Sequence, residues 1–392
     1  MSTPAPKHVV AGRRVPTIAG GRRVLAFVPA PLPPTLHFDG RLVGLIDRAS
    51  RATGELAGTG RRLANPSLLL RPFIRREAVL SSRIEGTHAE ALDLYAFEAG
   101  QLELPGLTKA STPDDVREVL NYEAALRYGL HRRDSLPIGL RFIRELHEHL
   151  MKGVRGGHAA PGRFRTTQNW IGGEGLGIDD ARYVPPPMPE MREALQALEL
   201  YLHAVDPLPP LVRLAMVHYQ FEAIHPFADG NGRIGRLLMA LLLVDWGLLS
   251  HPLLYLSAWF EANRAAYYDH LLAVSERGAW EPWIRFFLEG VAAQAGDATQ
   301  RVVRIEALEA DWRDRLARAD ASGTTIRLLE VLFEAPAFTI PWAAERLDVT
   351  YRSAQRAVQT LLRHKMVRPA VAGARYNKVF VAEKVLDVAG SI

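Results

Sequence analysis

The stretch from Ile234 to Leu249 is strongly apolar and free of proline, so it reads as a buried helix. Upstream, Pro210 to Ala223 is a second helix candidate, with Leu211, Leu214, Ala215, Val217, Tyr219 and Phe221 as its apolar positions. A short polar loop joins them, and its Gly230-Asn231-Gly232 leads into the second helix. Glycines let main-chain N–H groups turn toward one point, and the first turn of a helix has N–H donors without helical partners. Together these features make a cradle for an anion such as a phosphate.

The side chains around the cradle suit the same ligand. Arg233 and Arg236 are three residues apart, hence on one side of the helix, and can grip several phosphate oxygens. Asp229 is a hard oxygen ligand of the kind that Mg2+ on phosphates requires. His225 titrates near neutrality and can take a proton from an attacking hydroxyl.

The run His225-Pro226-Phe227-Ala228-Asp229-Gly230-Asn231-Gly232-Arg233-Ile234-Gly235-Arg236 resembles the signature of the Fic family, with every fixed position present. The resemblance implies a mainly α fold: a Fic helical core with a β-hairpin flap, an N-terminal helical region and a C-terminal winged helix domain. It implies transfer of AMP from ATP to a Tyr, Thr or Ser hydroxyl of a protein. His225 would be catalytic, Asp229 would hold Mg2+, and Gly230, Asn231, Gly232, Arg233 and Arg236 would contact ATP.

At 392 residues the chain is long enough for two or three domains. Its 48% hydrophobic and 23% charged residues are ordinary for a globular protein, and a net charge of +5 permits nucleotide or nucleic-acid binding without demanding it. The absence of cysteine excludes disulfides, thiolate metal sites and a cysteine nucleophile. The N-terminus shows no apolar core of a secretory signal, and the longest apolar run, Leu237 to Val244, is shorter than the roughly 20 residues a bilayer needs. A cytoplasmic protein without membrane contact is the expectation.

Residues 1–24 are rich in Pro, Gly and Arg and are expected to form a loose arm. Residues 25–112 form the N-terminal helical region, with helices over Leu42–Leu63 and Pro72–Ile84. Ser81 and Glu85 are four apart, on one face of a helix that Gly86 can end. This segment resembles the inhibitory helix of Fic enzymes, which implies that Glu85 pairs with Arg236 and keeps ATP in an unproductive pose. Helices over Asp114–Leu130 and Pro137–Lys152 open the catalytic domain, assigned to 113–295. His147 and His149 within it point about 200° apart on a helix and read as structural.

Arg163–Ile171 and Ala181–Val184 look like two short strands around a Gly172–Gly175 turn. In Fic proteins the matching hairpin is the flap, which covers the nucleotide and holds the target by strand addition, so Trp170, Ile171 and Gly172 are candidate contacts. Trp259–Leu272 reads as one helix with Tyr267 and Tyr268 side by side, and the resemblance makes both candidates for adenosine contact. A helix from Trp280 should close the domain near residue 295, followed by a linker helix over 296–320.

Residues 321–392 change character. Helices over Thr324–Phe333, Ile340–Leu347 and Tyr351–His364, with Thr350 as N-cap, precede alternating Met366–Pro369 and Lys378–Ala382 around Gly373. The order resembles a winged helix-turn-helix with Arg352, Arg356, Arg375 and Lys378 toward DNA phosphates; a packing module is the equal alternative. The expected partners are a hydroxyl-bearing target protein, the chain itself by automodification or as a homodimer, and DNA. The rival functions are a DNA-binding regulator with a nucleotide-sensing Fic half, removal of AMP from targets, and γ-phosphate transfer. The last is disfavoured because Gly232 stands where Fic-fold kinases carry lysine.

Overall fold

The computed structural model describes residues 11–63, 66–98, 112–154, 160–172, 177–370 and 378–390. Strands β1 (Gly12–Ala19) and β2 (Arg22–Pro29) come first, then helices α1 (Gly40–Arg62), α2 (Pro66–Ile84), α3 (Ala91–Glu98), α4 (Pro113–Arg132) and α5 (Leu140–Leu150). Next follow α6 (Met188–His203), α7 (Pro210–Ile224), α8 (Asn231–Asp245), α9 (Ser257–Ala262), α10 (Arg264–Arg277) and α11 (Trp280–Arg318). The last elements are α12 (Gly323–Glu334), β3 (Ala337–Thr339), α13 (Ile340–Leu347), α14 (Tyr351–Arg363), β4 (Arg368–Pro369), β5 (Val379–Val381) and α15 (Glu383–Ala389). No helix among the described residues is long and apolar enough to cross a membrane.

The chain divides into two compact units, 1–54 with 124–248 and 254–295, and 55–123 with 249–253 and 296–392. In the first, α8 is the axis. Ile234, Leu237, Leu238 and Leu241 are at most 1% exposed, as a helix apolar on every side must be. It packs on α7 and α5. Gly129 of α4 permits a close approach: a Cβ there would lie 2.8 Å from Leu241 Cδ1 and 2.9 Å from Leu146 Cδ2. Trp283 of α11 donates its indole N–H to the Ala215 carbonyl of α7 (2.9 Å).

Residues 12–29 form an antiparallel hairpin, which corrects the expectation of a loose arm through residue 24. Its two-residue turn is Gly20-Gly21, both with positive φ (54° and 78°), the conformation that matches the twist of the strands. Two further corrections concern helices. Trp259–Leu272 is interrupted at Asn263, whose side-chain amide donates to the Trp259 carbonyl (2.9 Å) and separates α9 from α10. The expected linker helix over 296–320 is not separate from the helix before it: both are one continuous 39-residue helix, α11, along which the boundary of the two units falls after residue 295, as expected. Helices α3, α6 and α15 and strand β3 were not anticipated from the sequence.

In the second unit, α2 packs against α12 and α15. Its Arg75 is fully buried between Glu98 (2.7 Å) and Glu123 (2.9 Å), with its guanidinium 4.2 Å from the centre of the Tyr95 ring. The helix ends at Ile84, so Glu85 stands in the turn beyond it rather than on the face of Ser81. Gly86, at φ 94°, reverses the chain, and the Thr87 N–H donates to the Ser82 carbonyl (3.1 Å). Toward the C-terminus, α12, α13 and α14 accompany a sheet ordered β3-β5-β4. Thr350 caps α14 by accepting from the Ser353 N–H, as its sequence predicted. Gly373 and Arg375 lie outside the described residues.

Candidate active site

Helix α7 ends at His225, which adopts the left-handed conformation (φ 49°, ψ 61°) while its N–H still bonds the Phe221 carbonyl (3.0 Å). A non-glycine residue there is uncommon and turns the chain sharply out of the helix. The imidazole Nδ1 lies 3.3 Å from the Glu222 carbonyl. A carbonyl only accepts, so this contact puts the proton on Nδ1 and the basic lone pair on Nε2.

The loop from His225 to α8 is closed by Asn231. Its carboxamide accepts from the Phe227 N–H (2.8 Å) and donates to the Phe227 carbonyl (2.9 Å), and the residue is 2% exposed. The Asn231 side chain thus shapes the loop and leaves the residue's main-chain N–H to the cradle. The N-cap of α8 is Gly230 at φ 77°, and the first intrahelical bond runs from the Ile234 N–H to the Gly230 carbonyl (3.0 Å). The N–H groups of Asn231 and Gly232 precede that ladder, at the positive end of the helix.

Asp229 projects into solvent, 60% exposed, while Arg233 is nearly buried with Nη2 3.7 Å from the Asp229 carboxylate. One Asp229 oxygen accepts from the Gly230 N–H (2.6 Å). No group of three or more acidic or imidazole side chains among the described residues is placed to hold a metal ion. One exposed carboxylate beside an N–H cradle nevertheless fits Mg2+, which keeps most of its shell as water and phosphate oxygens and takes one or two carboxylates from protein. Arg236 is 2% exposed one turn further along. Burial, and after it the Arg236 charge, pushes the nearby His218 down to about 3.

Two residues outside the motif hold this loop, one of them the His147 already read as structural. His147 of α5 stacks on Phe227 (3.8 Å between ring centres, 4° between planes), accepts at Nδ1 from the Gly162 N–H (3.0 Å), and donates from Nε2 to the Asp229 carbonyl (3.1 Å). Burial pushes it down to about 4, so it is neutral, consistent with one donor and one acceptor. The second is Arg165, 4% exposed. Its Nε donates to the His225 carbonyl (3.0 Å), its Nη1 to Thr167 (3.2 Å), its Nη2 to Pro186, and its main-chain N–H to Pro226 (2.9 Å). Burial lowers it to about 10. It thus fastens the motif loop to both ends of the segment that carries Trp170 and Ile171.

That segment is reduced compared with expectation. The two strands are a single antiparallel bridge, Ile171 to Tyr183, and Ile178–Asp180 form a 3-10 turn between them; residues 173–176 lie outside the described set. Trp170 and Ile171 are each 36% exposed, and Gly172 is exposed. Tyr267 is 1% exposed, 4.3 Å from Phe260 between ring centres, with its hydroxyl 2.9 Å from His218 Nε2. Core packing takes its ring, which corrects its assignment to adenosine; Tyr268 beside it is half-buried.

Comparison with known proteins shows the family of the chain. Residues 43–131 match the Fic/DOC family N-terminal region and residues 137–243 match the Fic/DOC family itself, together half of the chain. The chain is a Fic family protein. This Fic protein is 28% identical over 227 residues to protein adenylyltransferase Fic of Drosophila erecta, covering 55% of this chain and 42% of that one. It is 32% identical over 182 residues to the protein of the same name from Drosophila grimshawi, covering 45% and 33%. The chain therefore spans less than half the length of these curated relatives. A Fic family protein from Desulfovibrio desulfuricans G20 superposes with a TM-score of 0.56 at 20% identity, covering 90% of this Fic protein and 98% of that chain. Fic-1 from C. elegans superposes at 0.52 with 24% identity, covering 69% and 75%. At these identities the likeness is one of fold.

Proposed function

We propose that this protein transfers AMP from ATP to a Tyr, Thr or Ser hydroxyl of a protein. The observation that carries the reading is the five-residue loop that sets a histidine, its lone pair on Nε2, directly before a helix N-terminus with two buried arginines. His225 Nε2 takes the proton as the hydroxyl oxygen attacks the α-phosphorus. The new P–O bond forms as the bond to the β-phosphate oxygen breaks, and pyrophosphate leaves. The N–H groups of Asn231 and Gly232, with Arg233 and Arg236, face the charge of the phosphate chain, an electrostatic contribution that needs no covalent help. Asp229 would hold Mg2+, which supplies neutralisation of that charge. The curated relatives' name, protein adenylyltransferase, supports the same reaction.

By the same reading, Glu85 pairs with Arg236 and keeps basal activity low, with Ser81 and Gly86 as parts of the inhibitory segment. The test is incubation of wild type, Glu85→Gly and Glu85→Gly/His225→Ala with α-32P-ATP and Mg2+. Labelling should rise in the first variant and vanish in the second. Label retained without His225 would defeat the mechanism, and equal labelling of wild type and Glu85→Gly would remove the inhibitory role. Mass spectrometry of the product separates AMP from phosphate, and loss of AMP from a pre-labelled protein would point to the reverse reaction.

A second reading concerns the C-terminal segment, which we infer to be a winged helix. Helix α14 buries Ala354, Ala357, Val358 and Leu361 and leaves Arg352 and Arg356 exposed on the other side, which supports a DNA contact. A gel shift unaffected by Arg352→Glu/Arg356→Glu would end that reading.

A further inference from the structure

The β1–β2 hairpin is joined to the flap segment by a main-chain bond. The Phe27 N–H donates to the Val184 carbonyl (2.8 Å), and Ile171 and Tyr183 exchange both main-chain bonds (2.8 and 3.2 Å). These main-chain bonds therefore link, in order, β1, β2, the 183–184 segment and Ile171. Side chains alternate between the two faces of such a ladder. One face is closed, where Val15, Ala26 and Val28 pack with Val184. The other carries Phe27 and Tyr183, whose ring centres are 6.2 Å apart. The Tyr183 hydroxyl donates to the carbonyl of Ala223 (2.7 Å), two residues before His225.

Alternation puts Leu25 and Arg23 on the face of Phe27, and the register sets Pro16 opposite Leu25, Ile18 opposite Arg23 and Arg14 opposite Phe27. Ile171, paired with Tyr183, joins the same face. The result is an exposed apolar strip, with Ile18 67%, Leu25 56% and Ile171 36% exposed, that runs outward from the side of the ladder nearest His225. Arg14 and Arg23 flank it, both exposed and without an ion pair among the described residues.

We propose that this face of the hairpin is a docking platform for the protein substrate, and that it takes an extended segment apolar at its centre and flanked by acidic residues. The inference rests on the reading of the site as one that modifies a protein. Two observations carry it. The strip is continuous with the flap, so a chain lying along the flap reaches the hairpin without a change of face. The cations at its margins favour carboxylates there, and like charges would be repelled.

The test uses the full chain without ATP and two fluorescein-labelled peptides that share one Val/Leu centre, flanked by Asp pairs or by Lys pairs. Fluorescence anisotropy should show the Asp-flanked peptide bound at least about tenfold more tightly. The preference should invert in Arg14→Glu/Arg23→Glu, and Leu25→Asp should weaken binding of the Asp-flanked peptide. Equal affinity for the two peptides, no binding of either, or an unaltered preference in the charge-reversed protein would overturn the proposal. Self-labelling by α-32P-ATP in a Glu85→Gly background is followed alongside, as the separate readout of the AMP-transfer reading. If self-labelling is absent in every form while the peptide preference holds, the AMP-transfer reading falls and the docking face stands.

Discussion

Arg165 shows how one side chain can hold a reaction geometry together. A guanidinium buried among carbonyls, without a carboxylate partner among the described residues, is costly to desolvate. What it secures is the backbone of His225, Thr167 and Pro186 at once. Arg165→Gln should therefore slow α-32P-ATP labelling by about 100-fold, the scale of a misplaced reacting group, while calorimetric ATP binding is preserved. Arg165→Lys should restore part of the rate. At the same scale, His147 and His218 are held at about 4 and about 3 in the folded protein. Both lie below the ordinary histidine value, so the unfolded chain binds protons that the folded chain refuses. Stability should be full above about pH 6.5 and fall as pH drops toward 4, read as the thermal midpoint across that window, with His147→Gln flattening part of the slope.

At the scale of elements, close approach sets which substitutions are tolerated. A Cβ on Gly12 would lie 2.2 Å from the Val28 carbonyl oxygen and 2.9 Å from Pro29 Cα, both backbone atoms that cannot swing away. Gly12→Ala should open the base of the hairpin and destabilise by about 1–3 kcal/mol in chemical denaturation. Gly44→Ala, at an exposed position of helix α1 with no atom within 4 Å of the new Cβ, should instead stabilise by up to about 1 kcal/mol. The two central helices were legible because their apolar residues recur at helical spacing on both sides of a polar loop. The hairpin was not, because its four arginines and Pro16 read as solvated tail, and its apolar residues face a partner, Val184, more than 150 residues away. Within the site, the motif residues were legible as a group. Their supports were not: nothing local distinguishes buried Arg165 from exposed Arg163 two residues earlier.

At the scale of the molecule, the two compact units are interleaved in sequence, since residues 55–123 fold with 296–392. A chain cut after residue 295 would lose α12 and α15, which cover α2. Such a truncation should be poorly soluble and expose apolar surface to a hydrophobic dye, although it retains every residue of the histidine motif. The partnership of α2 with the distant C-terminal helices has a consequence for how the molecule breathes. The segment that leads to Glu85 has no private stability to lose, so its amide protons should trade with solvent only when those of α12 do, at a common rate and with a common response to denaturant.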